Sequence, residues 1–117
     1  MNFLEMLFGK QTAVISASEL NERTKNGKKP FIVDVRQPDE YRAGHIAGSK
    51  LIPLGELSKR LNELPKDKEI ICVCQSGNRS GSATRTLVGA GFNAVNMQGG
   101  IISWRRANFQ VKQGSGT

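Results

Sequence analysis

The chain has 117 residues, 38 % of them hydrophobic and 23 % charged, which is enough for one globular domain and too little for two. Its apolar runs are only a few residues long, far short of the roughly 20 that cross a bilayer, and its first ten residues lack the features of a signal peptide. This composition excludes a disordered chain and predicts a soluble, cytoplasmic protein without a membrane partner.

The charge is unevenly distributed. Seventeen basic residues against ten acidic ones give a net charge of +7, and residues 70–117 carry five cations and no carboxylate. An excess of cations favours an anionic partner, although a solvated basic surface explains it equally well. Nucleic acid is not expected, because there is no run of Lys or Arg and only 6 % of residues are aromatic.

Strand-like and helix-like segments alternate along the chain. The predicted strands are Ala13–Ser16, Phe31–Val35, Ser49–Ile52, Glu69–Cys74 and Ala94–Met97. The predicted helices begin at Ala17, at Gln37-Pro38, at Leu54, at Ser80 and after Gly99-Gly100. Repeated βα units predict an α/β fold with a mostly parallel sheet of about five short strands and helices on both faces.

The same pattern predicts three parts of the chain. A domain spans residues 13–108, preceded by an N-terminal extension over 1–12 whose apolar side chains pack or stay disordered. Residues 109–117 are polar and glycine-rich, which is typical of a flexible tail.

The most apolar predicted strand ends at Cys74, and a short polar loop follows it. In parallel sheets, chemistry takes place beyond the carboxyl ends of the strands. A cysteine between a strand and a helix N-terminus meets backbone N–H groups and the helix dipole, which favour the thiolate. Gly77 allows a tight turn, and the loop amides can form an anion-binding nest. The loop residues are Gln75, Ser76, Gly77, Asn78, Arg79 and Ser80. The alternative is a small buried cysteine before an ordinary connection.

The sequence resembles single-domain rhodaneses, which are sulfurtransferases that carry sulfur as a cysteine persulfide. The shared motifs occur in the family's order and span about residues 14–106. They are Asp34-Val35-Arg36, Glu40-Tyr41, Gly44-His45-Ile46 with Gly48, Ile52-Pro53, Cys74 to Ser80, Gly91-Phe92, and Gly99-Gly100 with Trp104. Ser49, Lys50 and Val73 depart from the usual residues, which bears on fine specificity.

Loop length separates two enzyme classes of this fold. Related phosphatases use Cys-x5-Arg, a wider loop that encloses phosphate, whereas four residues separate Cys74 from Arg79 here. The resemblance therefore implies thiosulfate sulfurtransferase activity, with a small anionic sulfur donor and a cyanide, thiol or sulfur-relay acceptor. It implies a covalent persulfide on Cys74 and no metal or organic cofactor. A non-catalytic binding module is the remaining alternative.

The resemblance also suggests roles for the residues around the loop. Asp34 and Arg36 are expected to brace it, with Arg36 pairing with Glu40. Arg79 either contacts the donor anion or holds the loop through a carboxylate. His45 is expected to be a structural hydrogen-bonding residue. Two thiols and this histidine fall short of the four ligands of a structural zinc site, so Cys72 is expected to be a reduced core residue and no metal is predicted.

Overall fold

Five parallel strands form one sheet in the computed structural model, which describes residues 12–27 and 29–117. The strand order is β1-β5-β4-β2-β3. The strands are β1 (Val14–Ile15), β2 (Phe31–Asp34), β3 (Lys50–Leu51), β4 (Ile70–Val73) and β5 (Ala94–Met97). The predicted α/β architecture is confirmed. The most apolar strand, β4, lies at the centre of the sheet, where both of its faces are covered.

Four α-helices occupy the described residues, and their first turns explain where they begin. They are α1 (Ala17–Lys25), α2 (Pro38–Ala43), α3 (Asn78–Gly89) and α4 (Gly100–Arg106). Helix α1 begins after Ser16, whose hydroxyl accepts a hydrogen bond of 3.0 Å from the backbone N–H of Glu19. Helix α2 has Pro38 in its first turn, where a missing N–H costs nothing.

The predicted helix over residues 54–64 is wrong in type, because the structure has two short 3₁₀ helices, Leu54–Lys59 and Leu61–Glu63. Leucines three apart lie on one side of a 3₁₀ helix, which has three residues per turn. Leu54 and Leu57 have this spacing, as do Leu61 and Leu64. Arg60, with φ of −125° and ψ of 23°, separates the two 3₁₀ helices. The leucine pattern thus predicted a buried face correctly and the helix period incorrectly.

The helices cover both faces of the sheet and enclose two apolar clusters. Helix α3 and the 3₁₀ segments cover one face, where Leu57 and Leu87 pack. Helices α1 and α4 cover the other face through Leu20, Ile101 and Trp104. Since both α3 and α4 begin at the carboxyl edge of the sheet, the connection after β4 lies between their N-termini.

Residues 109–117, for which the composition predicts a flexible tail, make backbone hydrogen bonds with the domain. Lys112 exchanges two backbone hydrogen bonds with His45, of 2.8 and 2.9 Å. The backbone N–H of Gly114 donates to the carbonyl of Arg42 over 2.9 Å, and the Trp104 indole donates to the carbonyl of Gln110 over 2.9 Å. These contacts use the tail's backbone, which a polar, glycine-rich composition does not reveal.

The expected N-terminal extension, residues 1–12, lies outside the described residues except at its last position. Among the residues described, no helix is both long and apolar enough to span a membrane.

Candidate active site

Cys74 directly follows the central strand and opens the connection to α3. Its side chain is fully buried among apolar residues of the sheet face that α3 covers. Gly77 precedes the helix with φ of +108°, a left-handed conformation that glycine adopts without the clash of a Cβ atom. This turn points the start of α3, with its free N–H groups, back toward the cysteine sulfur.

Two hydrogen-bond donors reach the sulfur. The backbone N–H of Gly77 lies 3.0 Å from Cys74 Sγ, and the Ser80 hydroxyl lies 3.2 Å from it. Burial raises the pKa of the Cys74 thiol, but hydrogen bonds from the Ser80 side chain and from loop N–H groups outweigh it. The net effect places the pKa of Cys74 below the ordinary thiol value. The loop therefore stabilises a thiolate in a site that is otherwise apolar.

Cys72 has the opposite environment two residues earlier. It lies within β4, fully buried, and burial raises the pKa of its thiol to about 11. Both cysteines are free thiols. The chain thus carries one activated thiol and one inert thiol, distinguished by position relative to the helix N-terminus.

Arg79 holds the loop through a carboxylate. Its Nη1 and Nη2 atoms each donate to an oxygen of Glu40 on α2, both over 2.8 Å. The Arg79 hydrogen bonds lower the pKa of Glu40 to about 2. Of the two roles considered for Arg79, the structure displays the carboxylate contact. The expected pairing of Glu40 with Arg36 is wrong, because the Glu40 carboxylate pairs with Arg79 and the Arg36 guanidinium pairs with Asp34.

Arg36 is buried and pairs with Asp34, which ends β2 next to β4. Its Nη2 lies 2.8 Å from Asp34 Oδ2 and also donates to the carbonyl of Gly44 over 2.8 Å. Its Nη1 lies 3.4 Å from the side-chain oxygen of Gln75, the first loop residue. Asp34 thus orients a guanidinium that contacts both the loop and the end of α2.

The N-terminus of α4 forms the other wall of the loop. The backbone N–H groups of Ile101 and Ile102 donate to the carbonyls of Cys74 and Gln75, over 2.9 and 3.2 Å. A Cβ atom on Gly100 would lie 2.3 Å from the Gln75 carbonyl oxygen, so only glycine permits this approach. This contact is not among the sequence-based expectations, and the doubled glycine at 99–100 is the signal that could have indicated it.

The remaining predicted residues divide between the loop surface and its support. Ser76 and Asn78 are exposed, whereas Ser80 is buried. His45 lies away from the sulfur: its Nδ1 is 2.8 Å from the Tyr41 carbonyl oxygen and its Nε2 is 2.7 Å from the Gly116 carbonyl oxygen. These contacts give His45 a structural position between α2 and the C-terminal segment.

Asn96 is a second residue at the loop that the sequence-based expectations do not include. It lies on β5 and hydrogen-bonds to both Ser80 and Gly77. No motif distinguished it from other strand residues. Its contacts depend on the β4–β5 register, which places Asn96 beside Cys72.

Arg105, in the last turn of α4, contacts the C-terminal end of α2. Its Nη2 is 3.3 Å from the Ala43 carbonyl oxygen, next to Gly44, whose carbonyl binds the buried Arg36. In the described part of the chain, no group of three or more His, Cys, Asp or Glu side chains is placed to hold a metal ion.

Comparisons with known proteins find relatives with sulfur-carrier, sulfurtransferase and rhodanese-related names. "Putative sulfur carrier protein YrkF" of Bacillus subtilis is 41 % identical over 91 residues, covering 77 % of this chain and 49 % of YrkF. A "Sulfurtransferase" of Allochromatium vinosum is 33 % identical over 98 residues, covering 83 % of this chain and 92 % of that protein. The crystal structure of a rhodanese-related protein from Thermoplasma volcanium has a TM-score of 0.80 at 37 % identity, covering 86 % and 97 % of the two chains.

The chain matches only part of the length of some relatives. It spans 62 % of "Uncharacterized protein YqhL" and 49 % of YrkF, both of B. subtilis and both 41 % identical to it. The model of the family described as "Rhodanese-like domain" matches residues 16–107, nearly the whole described domain. The resemblance drawn from the motifs is thereby confirmed, and the chain belongs to the family of rhodanese-like domains.

Proposed function

We propose that the protein is a sulfurtransferase that carries sulfane sulfur as a persulfide on Cys74. The observation that carries this proposal is the position of Cys74 Sγ, 3.0 Å from the Gly77 N–H and 3.2 Å from the Ser80 hydroxyl. Hydrogen-bond donors around a sulfur stabilise its thiolate, and loop N–H groups can also stabilise the charge on a sulfur atom attached to it. The sulfurtransferase and sulfur-carrier names of two relatives support the same class of reaction.

In the first half of the proposed cycle, the Cys74 thiolate attacks the outer sulfur of thiosulfate or of a persulfide donor. A new S–S bond forms on Sγ while the donor's own bond to that sulfur breaks. Sulfite, or the donor thiolate, leaves with the electron pair. No oxidant is consumed, and the negative charge moves to the outer sulfur of the enzyme persulfide. The cycle requires no metal and no organic cofactor.

In the second half, a thiolate acceptor or cyanide attacks the outer sulfur, and the Cys74 thiolate leaves. Cyanide would yield thiocyanate, and a protein thiol would become a persulfide. A sulfur-relay protein is a suitable acceptor, which the sulfur-carrier name of YrkF supports. The free thiols of this chain suit a reducing compartment, so we propose that the protein works in the cytoplasm.

The size of the loop fits a small anionic donor. Arg79 lies at the loop with its charge shared with Glu40, and the four-residue spacing between Cys74 and Arg79 makes a small nest. Asp34 and Arg36 support the loop from β2. In this proposal the loop amides hold charge on sulfur, whereas the two arginines keep the loop in shape.

The test is a thiosulfate:cyanide assay run beside a phosphatase assay. We expect wild type and Cys72→Ala to accept one cyanide-removable sulfur from thiosulfate and to form thiocyanate, with no phosphate-ester hydrolysis. Cys74→Ala should accept none. Sulfur transfer by folded Cys74→Ala would contradict the assignment of the nucleophile. A wild-type protein without sulfur transfer would instead indicate a binding module.

A further inference from the structure

Asn96 connects the two residues that donate hydrogen bonds to Cys74. Its Nδ2 donates to the Gly77 carbonyl over 3.1 Å, and its Oδ1 lies 2.6 Å from the Ser80 hydroxyl oxygen. Gly77 and Ser80 supply the N–H and O–H groups within reach of Sγ. One side chain on β5 therefore contacts both donors without touching the sulfur itself.

The orientation of the Asn96 amide follows from its partners. A backbone carbonyl can only accept a hydrogen bond, so the NH₂ end of the amide must face Gly77. The carbonyl end then faces Ser80 and can only accept the hydroxyl hydrogen. Ser80 is buried, and its hydroxyl has one hydrogen for two acceptors, Asn96 Oδ1 at 2.6 Å and Cys74 Sγ at 3.2 Å. The two acceptors cannot both be satisfied at once.

We propose that Asn96 is a positioning residue that competes with Cys74 for the hydroxyl hydrogen of Ser80. When the sulfur is a neutral thiol, the hydrogen lies on Asn96 Oδ1, because an uncharged sulfur is a weak acceptor. When the sulfur is a thiolate, the hydroxyl turns toward Sγ, since a charged acceptor forms the stronger hydrogen bond. No proton moves between residues; only the Ser80 hydroxyl rotates.

The competition affects the sulfur-loaded state, and this consequence rests on the proposed function. In a persulfide the negative charge lies on the outer sulfur and Sγ is bonded to two atoms. Sγ is then a weak acceptor again, so the hydrogen returns to Asn96. Asn96 therefore disfavours the free thiolate, in which its own half-buried oxygen loses the Ser80 donor, relative to the loaded form. It moderates the reactivity of Cys74 in the interval between two sulfur transfers.

The test is the pH dependence of Cys74 alkylation by iodoacetamide, with the modified peptide identified by mass spectrometry. Asn96→Leu keeps the branched shape of the side chain and removes the competing oxygen, so the hydroxyl hydrogen is free for the thiolate. We expect its alkylation profile to move to lower pH by about half a unit, a threefold change in thiolate fraction. In a Ser80→Ala background, the same substitution should move the profile much less. Asn93, an exposed residue directly before β5, provides the control, and Asn93→Leu should leave the profile unchanged.

An unchanged profile in folded Asn96→Leu, or an equal shift with and without Ser80, would overturn the proposal. If Asn96→Leu does not fold, Asn96→Asp provides the test, because a carboxylate holds the Ser80 hydrogen more firmly. It should move the profile to higher pH, and more so when Ser80 is present. An equal shift in both backgrounds would indicate a simple charge effect and refute the competition. Alkylation needs no sulfur donor, so this outcome is independent of whether the protein transfers sulfur.

Discussion

Replacing Gly100 with alanine tests whether the N-terminus of α4 shapes the cysteine loop. The new Cβ atom would lie 2.3 Å from the Gln75 carbonyl oxygen and 2.5 Å from the Cys74 carbonyl oxygen. Ordinary contact distances start near 3.5 Å, so the two segments must separate by about 1 Å. All the atoms involved are backbone, which cannot rotate away as a side chain would.

The expected cost combines two terms. Overpacking costs about 1–3 kcal/mol, and the left-handed φ of +61° at Gly100 costs a residue with a Cβ a further 1–2 kcal/mol, roughly. We therefore expect Gly100→Ala to lower the free energy of unfolding by about 3 kcal/mol. A displacement of about 1 Å at the loop should also slow sulfur transfer about a hundredfold.

The assays are urea denaturation followed by circular dichroism, and thiosulfate:cyanide kinetics on the folded variant. Gly89→Ala is the matched control, because a Cβ atom there meets nothing within 4 Å and the position ends α3. It should be neutral or stabilising by up to about 1 kcal/mol. A Gly100→Ala protein with wild-type stability and wild-type kinetics would refute the close approach.

Three further outcomes follow from charges and ionisation. Glu40→Gln should lower the free energy of unfolding by about 1 kcal/mol, a value reduced for the partial exposure of the pair. Since the pKa of Glu40 is about 2, this contribution is present above the unfolded pKa near 4.3 and should vanish as pH falls through 2. A difference in unfolding free energy between wild type and variant that persists below pH 2 would contradict it. Alkylation of Cys74 should reach half its maximal rate at a pH below the ordinary thiol pKa, because loop hydrogen bonds lower the pKa of Cys74. Cys72, with a pKa of about 11, should stay unmodified in the folded protein. Equal labelling of both thiols would contradict this expectation. The kcat/KM for thiosulfate should fall with rising salt more than the kcat/KM for an uncharged sulfur donor, since electrostatic attraction is screened over about 8 Å at physiological ionic strength. Equal salt dependence for the two donors would indicate that the basic residues serve solubility.

Much of the fold was predictable because its elements have strong local signals. The strand before Cys74 is continuously apolar, and Ser16 and Pro38 begin helices through local backbone chemistry. The two 3₁₀ helices were mistaken for one α-helix because leucines three and four apart suit both periods when the run is short. Local pattern specifies that a face is buried more reliably than it specifies the helix type.

The part of the site that lies in one continuous stretch of sequence was predictable, whereas the contacts between distant segments were not. Cys74 and its loop are one continuous stretch, so position after a strand sufficed to identify them. The partner of Arg79 is Glu40, 39 residues away on α2. The sequence instead predicted that Glu40 pairs with Arg36, which is nearby in the chain. Asn96 lies 16 residues from Ser80 and carries no pattern. Such contacts depend on strand order, which propensity does not encode.

The loop around Cys74 is held by segments from most of the length of the domain, and this has a consequence for biosynthesis. Arg36 and Glu40 precede the cysteine, whereas Asn96 and Gly100 follow it by more than 20 residues. While the chain is being made, the thiol emerges before the strand and helix that complete its surroundings, and it has the ordinary reactivity of a cysteine in an unfolded chain. We expect its activation to coincide with the docking of α4, so that an incomplete or misfolded chain does not present an activated nucleophile to other thiols in its surroundings.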